Sequence, residues 1–161
     1  MDFQIRPLSD RDVATLVELT LFAFPPVFES FRGILGSAVY ERIWPDWEAG
    51  QREAVETMCN DGDTYTVLVA DLDGHAVGFL AYTLHEESET GEIQLIAVHP
   101  DHQNRGIATE LCSVALRRMK EQGMTFARVE TGGDPSHAPA RRAYEKVGFE
   151  GLPLVRYFRR L

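Results

Sequence analysis

Cysteine is scarce in this chain of 161 residues: only Cys59 and Cys112 occur, without Cys-x-x-Cys spacing. A disulfide framework or a thiolate metal site needs more thiols at closer spacing, so neither is expected. His99 and His102 stand three apart with no third ligand near them in the sequence, and no metal is expected. No apolar run approaches the roughly 18 residues that a membrane span needs. Met1-Asp2-Phe3-Gln4-Ile5-Arg6 lacks the basic and apolar regions of a secretory leader, so a cytoplasmic protein with no membrane partner is expected. Repeats, linkers and low-complexity segments are missing too. What remains, 44% apolar and 25% charged residues, suits one globular domain over 1–161 with a sizeable core.

Basic residues are scarce in one part only. Residues 1–100 hold 18 Asp and Glu against 5 Lys and Arg, whereas residues 101–161 hold 7 against 11, within a net charge of −9. This balance disfavours a nucleic-acid partner. A positive C-terminal part suits a polyanionic ligand. An acidic N-terminal part either draws cations by long-range steering or simply solvates helix faces.

Taken in order, residues 3–6 read as a short strand and residues 10–22 as a helix. That helix has a Ser9 cap, apolar positions at Val13, Leu16, Val17 and Leu19, and Pro25-Pro26 as its stop. Residues 27–59 read as helical with breaks near Gly33–Gly36 and at Pro45, and are rich in rings: Phe28, Phe31, Tyr40, Trp44 and Trp47. Interleaved with acids, these rings either cage an ammonium by cation–π contact or form core. Residues 64–71, 75–85 and 91–98 give three antiparallel strands, the first two joined at Asp73-Gly74. A helix follows Gly106, with Ile107, Leu111, Cys112, Ala115 and Met119 as its apolar stripe and Gly123 as its stop. Residues 126–131 read as a strand, Pro139 and Gly148 bracket a further helix, and residues 154–159 read as a closing strand.

The most informative stretch runs from Glu92 to Ala108. A β-branched apolar run stops at Pro100, crosses a polar loop and re-emerges at Gly106 as a helix start. The first N–H groups of a helix have no intrahelical partner, and a glycine lets an anion approach the main chain, so phosphate is the natural guest. The spacing is neither that of the P-loop nor that of the dinucleotide fingerprint. Gln103-Asn104-Arg105-Gly106-Ile107-Ala108 resembles instead the pyrophosphate loop of the GNAT acyl-CoA N-acyltransferases, Gln/Arg-x-x-Gly-x-Gly/Ala. Ile96-Ala97-Val98-His99-Pro100 is similar to that family's strand end. Ala140-Arg141-Arg142-Ala143-Tyr144-Glu145-Lys146-Val147-Gly148-Phe149 is similar to its fourth helix.

The resemblance covers nearly the whole chain. It implies an α/β fold of α+β type: a mixed, mainly antiparallel sheet of six to seven strands, flanked by four or so helices and splayed at its centre to form a slot. It also implies transfer of acetyl from acetyl-CoA, as co-substrate, to a primary amine by direct attack. A non-catalytic acyl-CoA sensor is the alternative.

Amide formation from a thioester needs a held thioester, a free amine, an oxyanion stabiliser and a proton for the thiolate. Backbone N–H groups of Gln103, Asn104, Arg105, Gly106, Ile107 and Ala108, with the Arg105 charge and the Thr109 hydroxyl, are the candidate pyrophosphate site. The resemblance implies that the edge at Ile96, Ala97 and Val98 pairs with the pantetheine arm, with the Val98 N–H at the thioester carbonyl. It also makes Tyr144 the general acid, since a phenol is suited to protonating a thiolate. Glu92, six residues before Val98 and expected on the same strand face, matches the general base of the histone-acetyltransferase branch, with a pKa expected to be raised by burial. His85 is the alternative base. His137 stands where the family most often has Asn, and a cofactor contact is its expected role. The acceptor is expected to be a small cationic amine or a peptide or protein amine, and a homodimer is left open.

Overall fold

The computed structural model describes residues 3–161. Its elements are β1 (Gln4–Pro7), α1 (Val13–Ala23), α2 (Pro25–Leu35), α3 (Ser37–Ile43), α4 (Trp47–Asn60), β2 (Thr66–Leu72), β3 (His75–His85), β4 (Thr90–Val98), α5 (Ile107–Glu121), β5 (Phe126–Val129) and α6 (Ala138–Lys146). The five strands lie in chain order in one sheet. All pairs are antiparallel except β4 with β5, which α5 joins by the long crossover a parallel pair requires. The β2–β3 turn places Asp73 and Gly74 at φ 52° and 86°, the positive values that a tight two-residue hairpin turn demands.

Apolar alternation along the strands feeds two cores. On one face, Leu68, Leu80, Tyr82 and Ile93 pack under Leu111, Cys112 and Met119 of α5. On the other, Val67, Val69, Phe79 and Ala81 pack under Leu16, Val17 and Leu19 of α1 and Val55 of α4. Burial pushes the Cys112 thiol up to about 12 and the Cys59 thiol up to about 11, so both are inert as thiolates near neutral pH. Under the first strand a guanidinium serves two carboxylates. Arg6 Nε bonds Asp71 at 2.8 Å, and Nη1 and Nη2 bond Asp12 at 2.6 and 2.9 Å.

The sheet is not pleated evenly. β3 and β4 pair as Ala81 with Leu95 and then Tyr82 with Ile93, so Gln94 is an extra residue on β4. A bulge inverts the faces beyond it. Ile93 faces α5, and so do Ile96 and Val98, while Leu95 and Ala97 face α1 and α4. At the same point the sheet opens. β5 pairs only with residues 90–93 of β4, leaving the outer edge of residues 94–98 without a strand neighbour.

Several expectations are corrected. The mixed, mainly antiparallel α/β arrangement is as expected, but among the described residues the sheet has five strands rather than six or seven, and six α-helices rather than four or so flank it. Residues 154–159 form no strand: Leu154 and Tyr157 are 74% and 89% exposed. Leu154, Val155, Tyr157 and Phe158 supply propensity, but a strand exists only with a ladder partner. Pro25 and Pro26 open α2 directly after α1, since Pro is well placed in a first helical turn, and Gly33 sits inside α2, which ends at Gly36.

Gly91 is fixed by packing, because a Cβ there would overlap the Met119 side chain on α5. Gly91→Val is therefore expected to cost about 1–3 kcal/mol by overpacking. Chemical denaturation checks this; Met119→Ala in the same chain should recover part of the loss, and unchanged stability of the single variant would refute the packing argument.

Candidate active site

The slot begins where β4 loses β5. The His99 N–H donates to the Val77 carbonyl at 2.9 Å, toward β3. Alternation along the strand then turns the Ile96 and Val98 N–H groups to the open edge and the Ala97 N–H inward to β3. Ala97 also sends its side chain into the core under α1, so of the three only Ile96 and Val98 offer main-chain donors to the slot. At its mouth the Gln103 Nε2 donates to the Val98 carbonyl at 3.1 Å, which ties the loop to the strand.

The loop then turns through two left-handed residues, Asn104 at φ 61° and Gly106 at φ 83°. Gly106 has open space where a Cβ would stand, so dihedral angle rather than crowding favours glycine there. Glu110 is the first residue of α5 whose N–H closes an intrahelical bond, to the Gly106 carbonyl at 3.0 Å. The Ile107, Ala108 and Thr109 N–H groups before it are unpaired among the described residues and sit at the positive end of a 15-residue helix, whereas the Gln103 N–H donates to the Pro100 carbonyl at 3.3 Å. Arg105 is exposed beside them, its Nη1 3.5 Å from His102 Nδ1. Such a set of donors forms a concavity for an anion.

Tyr144 lies on α6 in the same apolar cluster as Val98, Ile107 and Cys112, its ring edge-on to Phe149. Burial, with Cys112 beside it, pushes its phenol well above the usual value, so it stays protonated. Its hydroxyl bonds no protein group among the described residues and is not sealed from solvent.

Glu92 lies elsewhere than expected. The bulge at Gln94 puts it on the face opposite Val98, in a polar row with Thr83, His85 and Arg128. Arg128 Nη2 bonds its Oε2 at 2.6 Å and His85 Nε2 lies 3.2 Å away. Burial works to raise the Glu92 pKa, but these two hydrogen bonds outweigh it and hold the carboxyl below its usual value. A carboxylate so stabilised is a poor proton acceptor, which corrects the expectation of a raised pKa.

The rings of residues 27–59 are stacked on one another. Phe28 lies 4.4 Å from Trp47, Phe31 lies 5.0 Å from Trp44, and the Arg32 guanidinium already covers Tyr40 at 4.8 Å. They bind α2, α3 and α4 together, Phe28 and Tyr40 buried and Phe31, Trp44 and Trp47 half-buried. The stack runs on to His137, whose ring lies 5.6 Å from Phe31. His137 Nδ1 is 2.6 Å from Asp134 Oδ1, and Ser30 of α2 donates to Asp134 Oδ2 at 2.6 Å. Sequence reasoning missed Ser30, Gln94, Arg128 and Asp134. Only Asp134 left a local signal, as an acid three residues before His137 at a Pro-opened helix start.

A mixed sheet split beside a parallel crossover, with a helix N-terminus at the mouth of the split, sets an open ladder edge beside an anion-binding set of main-chain donors in an α+β fold. The profile of the Acetyltransferase (GNAT) family matches residues 36–149, and the chain belongs to that family. It is 32% identical over 81 residues to a mycothiol acetyltransferase of Streptomyces coelicolor, covering 50% of this chain and 26% of that protein. The chain thus spans about a quarter of the length of that relative. Among solved structures, the PaiA N-acetyltransferase of Thermoplasma acidophilum in complex with coenzyme A superposes with a TM-score of 0.71 at 20% identity, covering 93% and 91% of the two chains. An aminoglycoside acetyltransferase from an uncultured soil metagenomic sample, in complex with sisomicin, gives 0.65 at 21% identity, covering 99% and 97%. At these identities both establish likeness of fold.

Proposed function

We propose that the chain is an N-acetyltransferase that moves acetyl from acetyl-CoA to a primary amine by direct attack in a ternary complex. The observation that carries this reading is the free edge of β4, which runs straight into the unpaired N–H groups of α5. The N–H groups of Asn104, Arg105, Gly106, Ile107 and Ala108, beside Gln103, whose own N–H is taken by the Pro100 carbonyl, would hold the pyrophosphate together with the Arg105 charge and the Thr109 hydroxyl. Ile96 and Val98 would add their main-chain groups to the pantetheine amides as a further strand would, Ala97 shaping the edge from the core side. The Val98 N–H would then face the thioester carbonyl and receive its developing negative charge. Tyr144 would give its proton to the departing sulfur.

The acceptor would enter from the α1 and α4 face, where Glu92 is held ionised. A fixed carboxylate there, in the acidic N-terminal part, favours an ammonium substrate. Such substrates include small cationic amines and the amine of a peptide or protein.

The test is release of free CoA thiol from acetyl-CoA with separate pools of cationic and anionic amines. Release with the cationic pool alone is expected. Tight CoA binding without release from any amine would favour a sensor, and absence of CoA binding would reduce the Gly106 turn to a structural one.

A further inference from the structure

Resting on that reading, we propose that the base which frees the amine is His137, oriented by Asp134, and not a carboxylate on β4. The geometry is that of an imidazole fixed from one side. Nδ1 faces Asp134 Oδ1 at 2.6 Å, so it carries the hydrogen and Nε2 carries the lone pair. Nε2 takes no hydrogen bond from the protein among the described residues and is not sealed from solvent.

Asp134 is itself held from three sides. Ser30 of α2 and Ser136 donate to its Oδ2, and the Arg141 guanidinium donates to its main-chain carbonyl and to that of Gly132. Burial works to raise the Asp134 pKa, but the hydrogen bonds of Ser136, Ser30 and His137 outweigh it, and it stays a carboxylate. Gly132 completes the arrangement: a Cβ there would overlap both Asp134 Oδ1 and His137 Nδ1. Phe31 of α2 lies flat against the imidazole. The groups recorded against His137 are thus Asp134 and Ser136 on its own loop and Phe31 of α2, with Ser30 and Arg141 reaching it through Asp134.

Place and chemistry agree. His137 closes the short 3-10 turn Pro135–His137 and is the N-cap of α6, the helix that carries Tyr144 seven residues further on. It also stands in the turn before α6 that α2 packs against, through the Ser30–Asp134 bond and the Phe31 ring. Glu92, engaged by Arg128 and His85, is a weak acceptor by comparison.

In the step, the ammonium gives one proton to Nε2 while Nδ1–H stays bonded to Asp134. The amine lone pair forms the C–N bond at the thioester carbonyl. As the C–S bond breaks, the Tyr144 phenol protonates sulfur and the phenolate takes back the second proton from nitrogen. The imidazolium returns its proton to solvent, so amide, free CoA thiol and one proton are the products.

The test compares wild type, His137→Ala, His137→Asn and Asp134→Asn. Acetyl-CoA is the donor, and the acceptor is whichever of sisomicin, spermidine or a lysine peptide the wild type uses. His137→Ala and His137→Asn are each expected to lower kcat about 100-fold or more with CoA affinity unchanged, and to abolish the acidic limb of the kcat/KM profile. Added imidazole should restore part of the rate to His137→Ala. Asn can still donate to Asp134 but cannot take a proton, so His137→Asn separates a base from a structural pin. Asp134→Asn should lower kcat by roughly 10-fold and displace the acidic limb, with KM little changed, as a positioning residue would. A His137→Asn enzyme within threefold of wild type, with the same pH profile, overturns the proposal while leaving the acetyltransferase reading intact. Wild type that binds CoA and turns over none of the amines overturns both.

Discussion

Tyr144→Phe is expected to lower amine-dependent release of CoA about 100-fold or more, with CoA affinity and Tm close to wild type. General acids contribute on the order of 10²- to 10⁴-fold, and this substitution removes only the acid. The ring stays in its cluster, edge-on to Phe149 at 5.9 Å. The hydroxyl it loses has no protein partner among the described residues, so no bonded group is orphaned by its removal. Because burial and Cys112 push the phenol upward, wild type keeps its acid protonated through the neutral and mildly alkaline range. Any loss of rate on acidification therefore belongs to another group, and the same limb should persist in Tyr144→Phe at its lower rate. Stopped-flow and steady-state thiol release check both points, and turnover within threefold of wild type would remove Tyr144 as the proton donor.

The second large effect lies in the fold. Arg6→Leu is expected to destabilise the chain by about 3–5 kcal/mol, because it leaves the buried Asp12 and Asp71 carboxylates without their shared cation. For a chain of this size that amounts to a drop in Tm of roughly 10 °C or more. The pH dependence has a definite sign. Hydrogen bonds from Arg6 are the largest cause holding both carboxyls below their usual value, and for each they outweigh its burial. A depressed folded-state pKa contributes stability that is present above the unfolded value, about 4 for Asp, and is lost as pH falls through the folded one. Wild type should thus lose stability as pH falls below about 4. The variant has two unpaired buried acids that gain from protonation, so the gap between the two should narrow over the same range. Urea midpoints at pH 7 and pH 3.5 measure this, and adding Asp12→Asn with Asp71→Asn should restore much of the loss at pH 7. A gap independent of pH would refute the triad argument.

The two effects lie on different kinds of information. Residues 103–108 and Tyr144 are legible as candidates because the features that mark them are local: a left-handed glycine at a helix start, and a phenol inside a run that resembles one family. Glu92 was misread because a strand is assumed to alternate. One extra residue, Gln94, turns Glu92 to the other face, and nothing in the local sequence announces a bulge. Asp134 and Ser30 are 104 residues apart, and their bond exists only because the ring stack brings α2 against the loop before α6.

By itself the sequence determined the order of the elements up to α6, the left-handed turn before α5, the helix carrying Tyr144 and the membership in a family. These follow from periodicity, capping and backbone stereochemistry, which act over a few residues. Only the tertiary structure decided that the sheet has five strands, that residues 154–159 find no ladder partner, that the rings stack on one another, and that Glu92 is pinned by Arg128. It also decided that His137 is the imidazole gripped by a carboxylate. Each of these depends on which surfaces meet, and burial and pairing energies between distant residues have no signature in any one stretch of chain.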